Sequence, residues 1–113
     1  MRRFAIKVIG GILSRYDVLL APTAKGGATP IENIGYAKGL RGPTFTGVFS
    51  MTGFPVLAIP MGFTGDALPL PLSLQIVGRP FDEATVLRAG DAFQQRTSWH
   101  LRQPPVLEPV RTP

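Results

Sequence analysis

Nucleophilic catalysis requires an activated nucleophile, a base to take its proton and donors for the developing oxyanion. The serines of this chain are Ser14, Ser50, Ser73 and Ser98. None stands in G-x-S-x-G or S-x-x-K, the spacings that bring a serine to its base. The lysines Lys7, Lys25 and Lys38 all lie toward the amino terminus and match no catalytic spacing. His100 is the single histidine and follows Trp99, a setting that favours packing or surface exposure over a triad. Metal ligation fares no better. Asp17, Glu32, Asp66, Asp82, Glu83, Asp91 and Glu108 are dispersed, cysteine is absent, and no second histidine completes a site. Gly26-Gly27 lacks the further glycines or the lysine of a phosphate-binding loop and reads as plain loop flexibility. From these residues we expect no catalytic residue in this chain, no metal and no cofactor.

The informative residues are of another kind. Phe49-Ser50-Met51-Thr52-Gly53-Phe54-Pro55 runs into the apolar stretch Val56-Leu57-Ala58-Ile59-Pro60-Met61-Gly62-Phe63. It is answered by Leu72-Ser73-Leu74-Gln75-Ile76-Val77-Gly78-Arg79-Pro80-Phe81-Asp82-Glu83. Upstream stands Tyr16-Asp17-Val18-Leu19-Leu20-Ala21-Pro22-Thr23, and downstream Thr97-Ser98-Trp99-His100. Together, in this order, these blocks resemble the carboxy-terminal part of the amidase signature family, from about Tyr16 to His100. The Tyr16–Thr23 block is similar to the family's "YDvLltPt" strand and the Phe49–Pro55 block to its "FN-x-TG-x-P" motif. Departures from the family pattern are Ser50 in place of Asn, Ala67 in place of a turn glycine, and the small insertion Leu70-Pro71.

The resemblance implies an α/β fold, part of a mixed β-sheet flanked by helices. It also implies an enzyme that hydrolyses linear carboxamides, or transfers their ammonia, with a Ser-Ser-Lys triad. That triad and its Gly/Ser-rich loop belong to the family's earlier half and have no counterpart here. The helix leading into "FN-x-TG-x-P" lines the acyl side of the family's substrate pocket. By position the matching residues are Phe45, Thr46 and Phe49, with Gly47 leaving space; ordinary core packing is their alternative role. The expected division is residues 1–100 as the carboxy-terminal segment of an amidase domain and residues 101–113 as a proline-rich tail. The expected partners are a small-molecule amide once the catalytic half is supplied, and a complementing amidase chain or a second copy of this one. A non-catalytic remnant with a structural or interaction role, or a piece of an ammonia-transferring amidotransferase component, are the other readings.

Composition bounds these expectations. With 113 residues, 44% hydrophobic and 17% charged, the chain can form a core and is no disordered tail. The net charge of +5 comes from basic residues scattered in runs of at most two, without interleaved aromatics, so no nucleic-acid surface is expected. No apolar run is long enough to cross a bilayer. Met1-Arg2-Arg3 and the residues after it have the outline of a signal peptide, but Lys7 interrupts the apolar stretch and no small-x-small cleavage site follows. A cytoplasmic setting is expected.

Positioning falls to a small set of elements. Arg3 to Arg15 reads as a helix with Phe4, Val8 and Ile12 in one stripe and Ala5, Ile9 and Leu13 beside it, weakened at Gly10-Gly11 by about 1 kcal/mol per glycine. Asp17 to Ala21 reads as a strand ended by Pro22, and Thr23 to Gly42 as a loop. Pro43 opens a short helix to Thr52, stopped at Gly53. Pro55–Met61, expected to be covered on both faces, pairs with Leu72–Gly78 as an antiparallel hairpin around a turn at Gly65-Asp66. In the return strand Leu72, Leu74 and Ile76 face one way and Ser73, Gln75 and Val77 the other. Asp82 caps a last helix to about Arg96, with Phe81 stapled onto Val86 and with Val86, Leu87, Ala89 and Phe93 buried.

Overall fold

A computed structural model of the chain describes residues 1–31 and 45–104. The elements, in order, are helix α1 (Arg2–Leu13), strand β1 (Leu19–Pro22), helix α2 (Gly47–Thr52), strands β2 (Val56–Phe63) and β3 (Pro71–Val77), and helix α3 (Glu83–Gln94). A 3-10 turn, Trp99–Leu101, follows. The strands form one antiparallel sheet in the order β1-β3-β2, so the last strand in sequence lies in the middle. This is the α/β organisation expected from the sequence, with helices on both faces of the sheet. The β2–β3 hairpin is present as expected, with Leu57 opposite Ile76 and Ile59 opposite Leu74. A bulge at Met61 shifts the register between Pro60 and Gly62.

The alternation of β3 divides the core between the two faces. Ile76 joins Ile59 and Val86 in one cluster, against which Val18, Leu57, Leu74, Ala89 and Phe93 pack beneath α3. Val77 joins Ile9, Leu13 and Phe54 on the other face, with Leu19, Val48 and Phe49 against them beneath α1 and α2. A methyl group added at Gly90 would meet Leu57 Cδ2, so the absence of a side chain there lets α3 lie close on β2. Gly53 ends α2 with φ 78°, the left-handed conformation expected of a helix stop, and its N–H donates to Phe49 O at 2.9 Å.

Several expectations are corrected. Only one face of β2 is packed: Leu57 and Ile59 turn inward, while Val56, Ala58 and Pro60 remain exposed. Phe81 does not staple onto Val86. Its φ of 63° turns the backbone outward and leaves the ring 95% exposed. Leu87 is exposed rather than buried, because α3 presents Val86, Ala89, Gly90 and Phe93 to the sheet. Asp82 takes the N-cap position without a side-chain cap bond, its carboxylate leaning toward Arg79 instead. In α1 it is Ile9 and Leu13 that are buried, whereas Phe4, Val8 and Ile12 stay exposed. α2 starts at Gly47, and the expected start at Pro43 lies outside the described residues, as do residues 32–42 of the expected loop. Of the expected tail, Leu101 belongs to the 3-10 turn, the Arg102 guanidinium lies 5.9 Å from the centre of the Phe63 ring, and residues 105–113 lie outside the described residues.

Candidate functional site

The face of the sheet carrying Val77 is not fully covered by α1 and α2. Between α2 and the sheet lies an open groove of about 420 Å³ lined by Thr23, Thr46, Phe49, Ser50, Gly53, Phe54, Val56, Ala58 and Gln75. Each lining residue follows from the local fold. Val56 and Ala58 occupy alternate positions on the uncovered face of β2 and form the floor. Thr46 is the N-cap of α2 and Phe49 stands one turn on, so both overhang that floor. Thr23 follows β1 and extends its pairing, its N–H donating to Ser73 O at 3.1 Å.

The polar groups of the groove are largely turned to the protein's own backbone. Thr23 Oγ1 donates to Ser73 O at 3.2 Å, and Ser50 Oγ donates to Thr46 O at 3.3 Å. Just behind the groove, Thr52 Oγ1 donates to Val48 O at 2.8 Å. Gln75 is the buried polar residue of β3, 2% exposed, and its Nε2 donates to Pro22 O at 2.9 Å and to Phe45 O at 3.3 Å. What the groove offers a ligand is therefore mainly the apolar surface of Phe49, Phe54, Val56 and Ala58. Among the described residues no lysine, histidine or carboxylate lines it, so this surface can hold and select but has no base with which to activate a nucleophile.

Of the residues expected to line a pocket, Thr46 and Phe49 meet in this groove. Phe45 contributes its carbonyl to Gln75 while its ring is only partly covered and is not part of the lining. Gly47 begins α2 and is not part of the lining either. Sequence reasoning missed Thr23, Val56, Ala58 and above all Gln75. The signal for Gln75 was available: one amide in the otherwise apolar run Leu74-Gln75-Ile76-Val77, in a strand covered by neighbours on both sides.

Arg79 holds the other end of this face together. Its Nε donates to Leu13 O at 2.8 Å, taking up a carbonyl at the carboxy terminus of α1, where a cation also complements the helix dipole. Its Nη2 donates to Tyr16 O at 3.1 Å and to Asp17 Oδ1 at 3.2 Å, and its Nη1 lies 3.8 Å from Asp82 Oδ2. This makes Arg79 a structural clamp between α1, the turn before β1 and the end of β3. Among the described residues no cluster of ligands suits a metal ion, and no helix is long and apolar enough to cross a membrane.

The fold and groove thus define a sheet-and-helix segment with an open, mainly apolar groove beside the T-G-F-P turn. The sequence model of the amidase family, described simply as Amidase, matches residues 1–87. This chain belongs to the amidase family. It is 42% identical over 96 residues to a glutamyl-tRNA(Gln) amidotransferase subunit of Chloroflexus aurantiacus, a match covering 82% of this chain and 19% of the relative. The subunit of the same name from Methanosarcina barkeri is 43% identical over 95 residues, with the same coverage. That of Methylobacillus flagellatus is 34% identical over 112 residues, covering 92% of this chain and 22% of the relative. The chain therefore spans about a fifth of the length of the curated relatives it matches.

Proposed function

We propose that this chain is the carboxy-terminal, pocket-forming part of an amidase-type enzyme that breaks the C–N bond of linear carboxamides, residues 1–100 forming a segment of the amidase domain and residues 101–113 its tail. It supplies scaffold and one wall of the acyl pocket, and a Ser-Ser-Lys triad must come from elsewhere in the assembled enzyme. The observation that carries this reading is the groove in which Thr46 and Phe49 overhang the β2 floor: a selective surface with no base among its described lining residues. Without a nucleophile–base pair such a surface offers little transition-state stabilisation by itself.

A second reading concerns the fate of the ammonia. The relatives' name, amidotransferase, favours transfer to an acceptor over release to water. Both readings share the amide-cleaving step and are tested together. This chain is placed in the Chloroflexus aurantiacus protein in exchange for its matching region, and small aliphatic and aromatic amides are offered with and without an acceptor. Ammonia release by the chimera and none by the 113-residue chain alone is the expected result. Turnover by the chain alone that disappears on Ser50→Ala or Ser73→Ala would sink the proposal.

The partner of the chain is the remainder of an amidase domain or, in its absence, a second copy, in a cytoplasmic setting. Exposed Phe4, Val8 and Ile12 on α1 support this, since apolar patches of this kind promote association. Light scattering over a concentration series should show self-association that falls when Phe4→Ser and Val8→Ser are combined. A strictly monomeric chain that binds no hydrophobic dye would contradict it.

A further inference from the structure

Gln75 sits at the middle of the central strand, opposite Ala21 of β1 and Ala58 of β2. Two alanines as cross-strand neighbours leave its side chain room to lie along the sheet rather than stand off it. Its buried Nε2 then reaches two carbonyls that belong to different walls of the groove. Pro22 O ends β1 immediately before Thr23, and Phe45 O immediately precedes the N-cap Thr46. The two bonds join residues 53 and 30 positions apart. α2 is six residues long, too short to hold its own place by helix propensity, and its start has no side-chain cap bond. Besides the packing of Val48 and Phe49, the sheet offers its start a hydrogen-bond donor.

We propose that Gln75 is the positioning residue of the groove: its buried amide pins the start of α2 and the end of β1 to the central strand, and so sets the gap between the Thr46–Phe49 wall and the Val56–Ala58 floor. The N–H groups of Gln75 are taken up by the protein, so they act on ligands through the spacing of the groove and not by contact. The inference takes from the preceding section only what the groove holds, and the tether itself is read without any ligand.

The experiment uses the full 113-residue chain, isotope-labelled, and hydrogen exchange at Ser50 and Gly53, whose N–H groups donate to Thr46 O and Phe49 O. The reference is Gln95, whose N–H closes the last turn of α3 on Asp91 O. Gln75→Met keeps the length and removes the donor. It should speed exchange at Ser50 and Gly53 by tenfold or more relative to Gln95. Gln75→Glu should do the same at neutral pH. As the pH falls, the introduced carboxyl, held above its ordinary range by burial, takes up a proton that it can donate to one of the two carbonyls. Protection of α2, corrected for intrinsic exchange, should then return in Gln75→Glu, while the unsubstituted chain shows no such pH dependence. Equal loss at Gln95 and in α2, or no loss at either, would overturn the proposal. If Gln75→Met does not fold, Gln75→Glu decides alone, and α2 protection that ignores pH counts against the tether. Titration with butyramide and benzamide forms a separate arm. Shifts at Thr46, Phe49 and Val56 in the unsubstituted chain support the pocket reading, and their absence overturns that reading while the exchange pattern still decides the tether.

Discussion

The two faces of the sheet are built by different means. Beneath α3 the contact is helix on sheet: Ile59, Ile76 and Val86 are buried, and Leu57, Leu74, Ala89 and Phe93 close around them. Among the described residues no buried polar side chain intervenes, and every member sits at a position that the periods of strand and helix dictate. On the opposite face a 12-residue helix and a 6-residue helix share the sheet. Their apolar contacts are supplemented by two long-range polar anchors, Gln75 to Pro22 and Phe45, and Arg79 to Leu13 and Tyr16. The first face is a core. The second holds an opening in place, and an opening cannot be stabilised by filling it.

The comparison is broken most directly from the α3 side. Ile59→Ala or Ile76→Ala should lower stability by about 2–5 kcal/mol, since each leaves a cavity between two packed layers. Chemical denaturation measures this; an unchanged midpoint in both variants would show that the core lies elsewhere. On the anchored face, Arg79→Met should cost about 1–2 kcal/mol, reduced by the partial exposure of the side chain. Asp17→Asn should cost no more than about 0.5 kcal/mol, because the carboxylate is largely in solvent and the carbonyl bonds survive. Equal losses in these two variants would mean that the ion pair, not the carbonyl anchoring, is what matters. Arg79→Lys should fail to restore the loss, as an ammonium cannot reproduce the planar fork.

The smallest effects sharpen the boundary between the two regions. Leu87→Ala should change stability by less than about 0.5 kcal/mol, because the side chain points away from the sheet. Phe81→Gly should be neutral or stabilising by up to about 1 kcal/mol. It relieves the left-handed conformation of a residue that carries a Cβ, partly offset by the greater freedom of glycine in the unfolded chain. Thermal unfolding of both variants checks these values, and a large loss in either would mean that α3 is oriented otherwise.

What was legible in the sequence follows the same division. The hairpin, the alternation of β3, the stop at Gly53 and the existence of α3 came from short-range patterns, and each is where the pattern put it. The failures are orientational. Phe81 has the spacing of a helix staple, but the turn after Pro80 places it at positive φ, and spacing says nothing about that angle. In α1 side-chain size favours the stripe through Phe4, whereas the sheet accepts the neighbouring stripe of Ile9 and Leu13. Thr46 and Phe49 were reached through family resemblance, with packing as the open alternative. Gln75 escaped because its partners are backbone carbonyls, which carry no residue-type signal, at a distance along the chain that no local pattern spans.

The order β1-β3-β2 also bears on the time course of folding. Within the hairpin the Ser73–Ile59 contact spans 14 residues, whereas the contact between Gln75 and Pro22 spans 53. Loop closure over the longer span costs about 1 kcal/mol more, and that cost falls before any contact with β1 is made. The hairpin with α3 is thus the expected nucleus, and β1 docks onto a strand already in place. Substitutions at Ile59 should slow folding, while those at Leu19 or Leu20 should chiefly hasten unfolding. The groove, which needs β1 for one of its walls, would be the last part of the molecule to acquire its shape and the first to lose it.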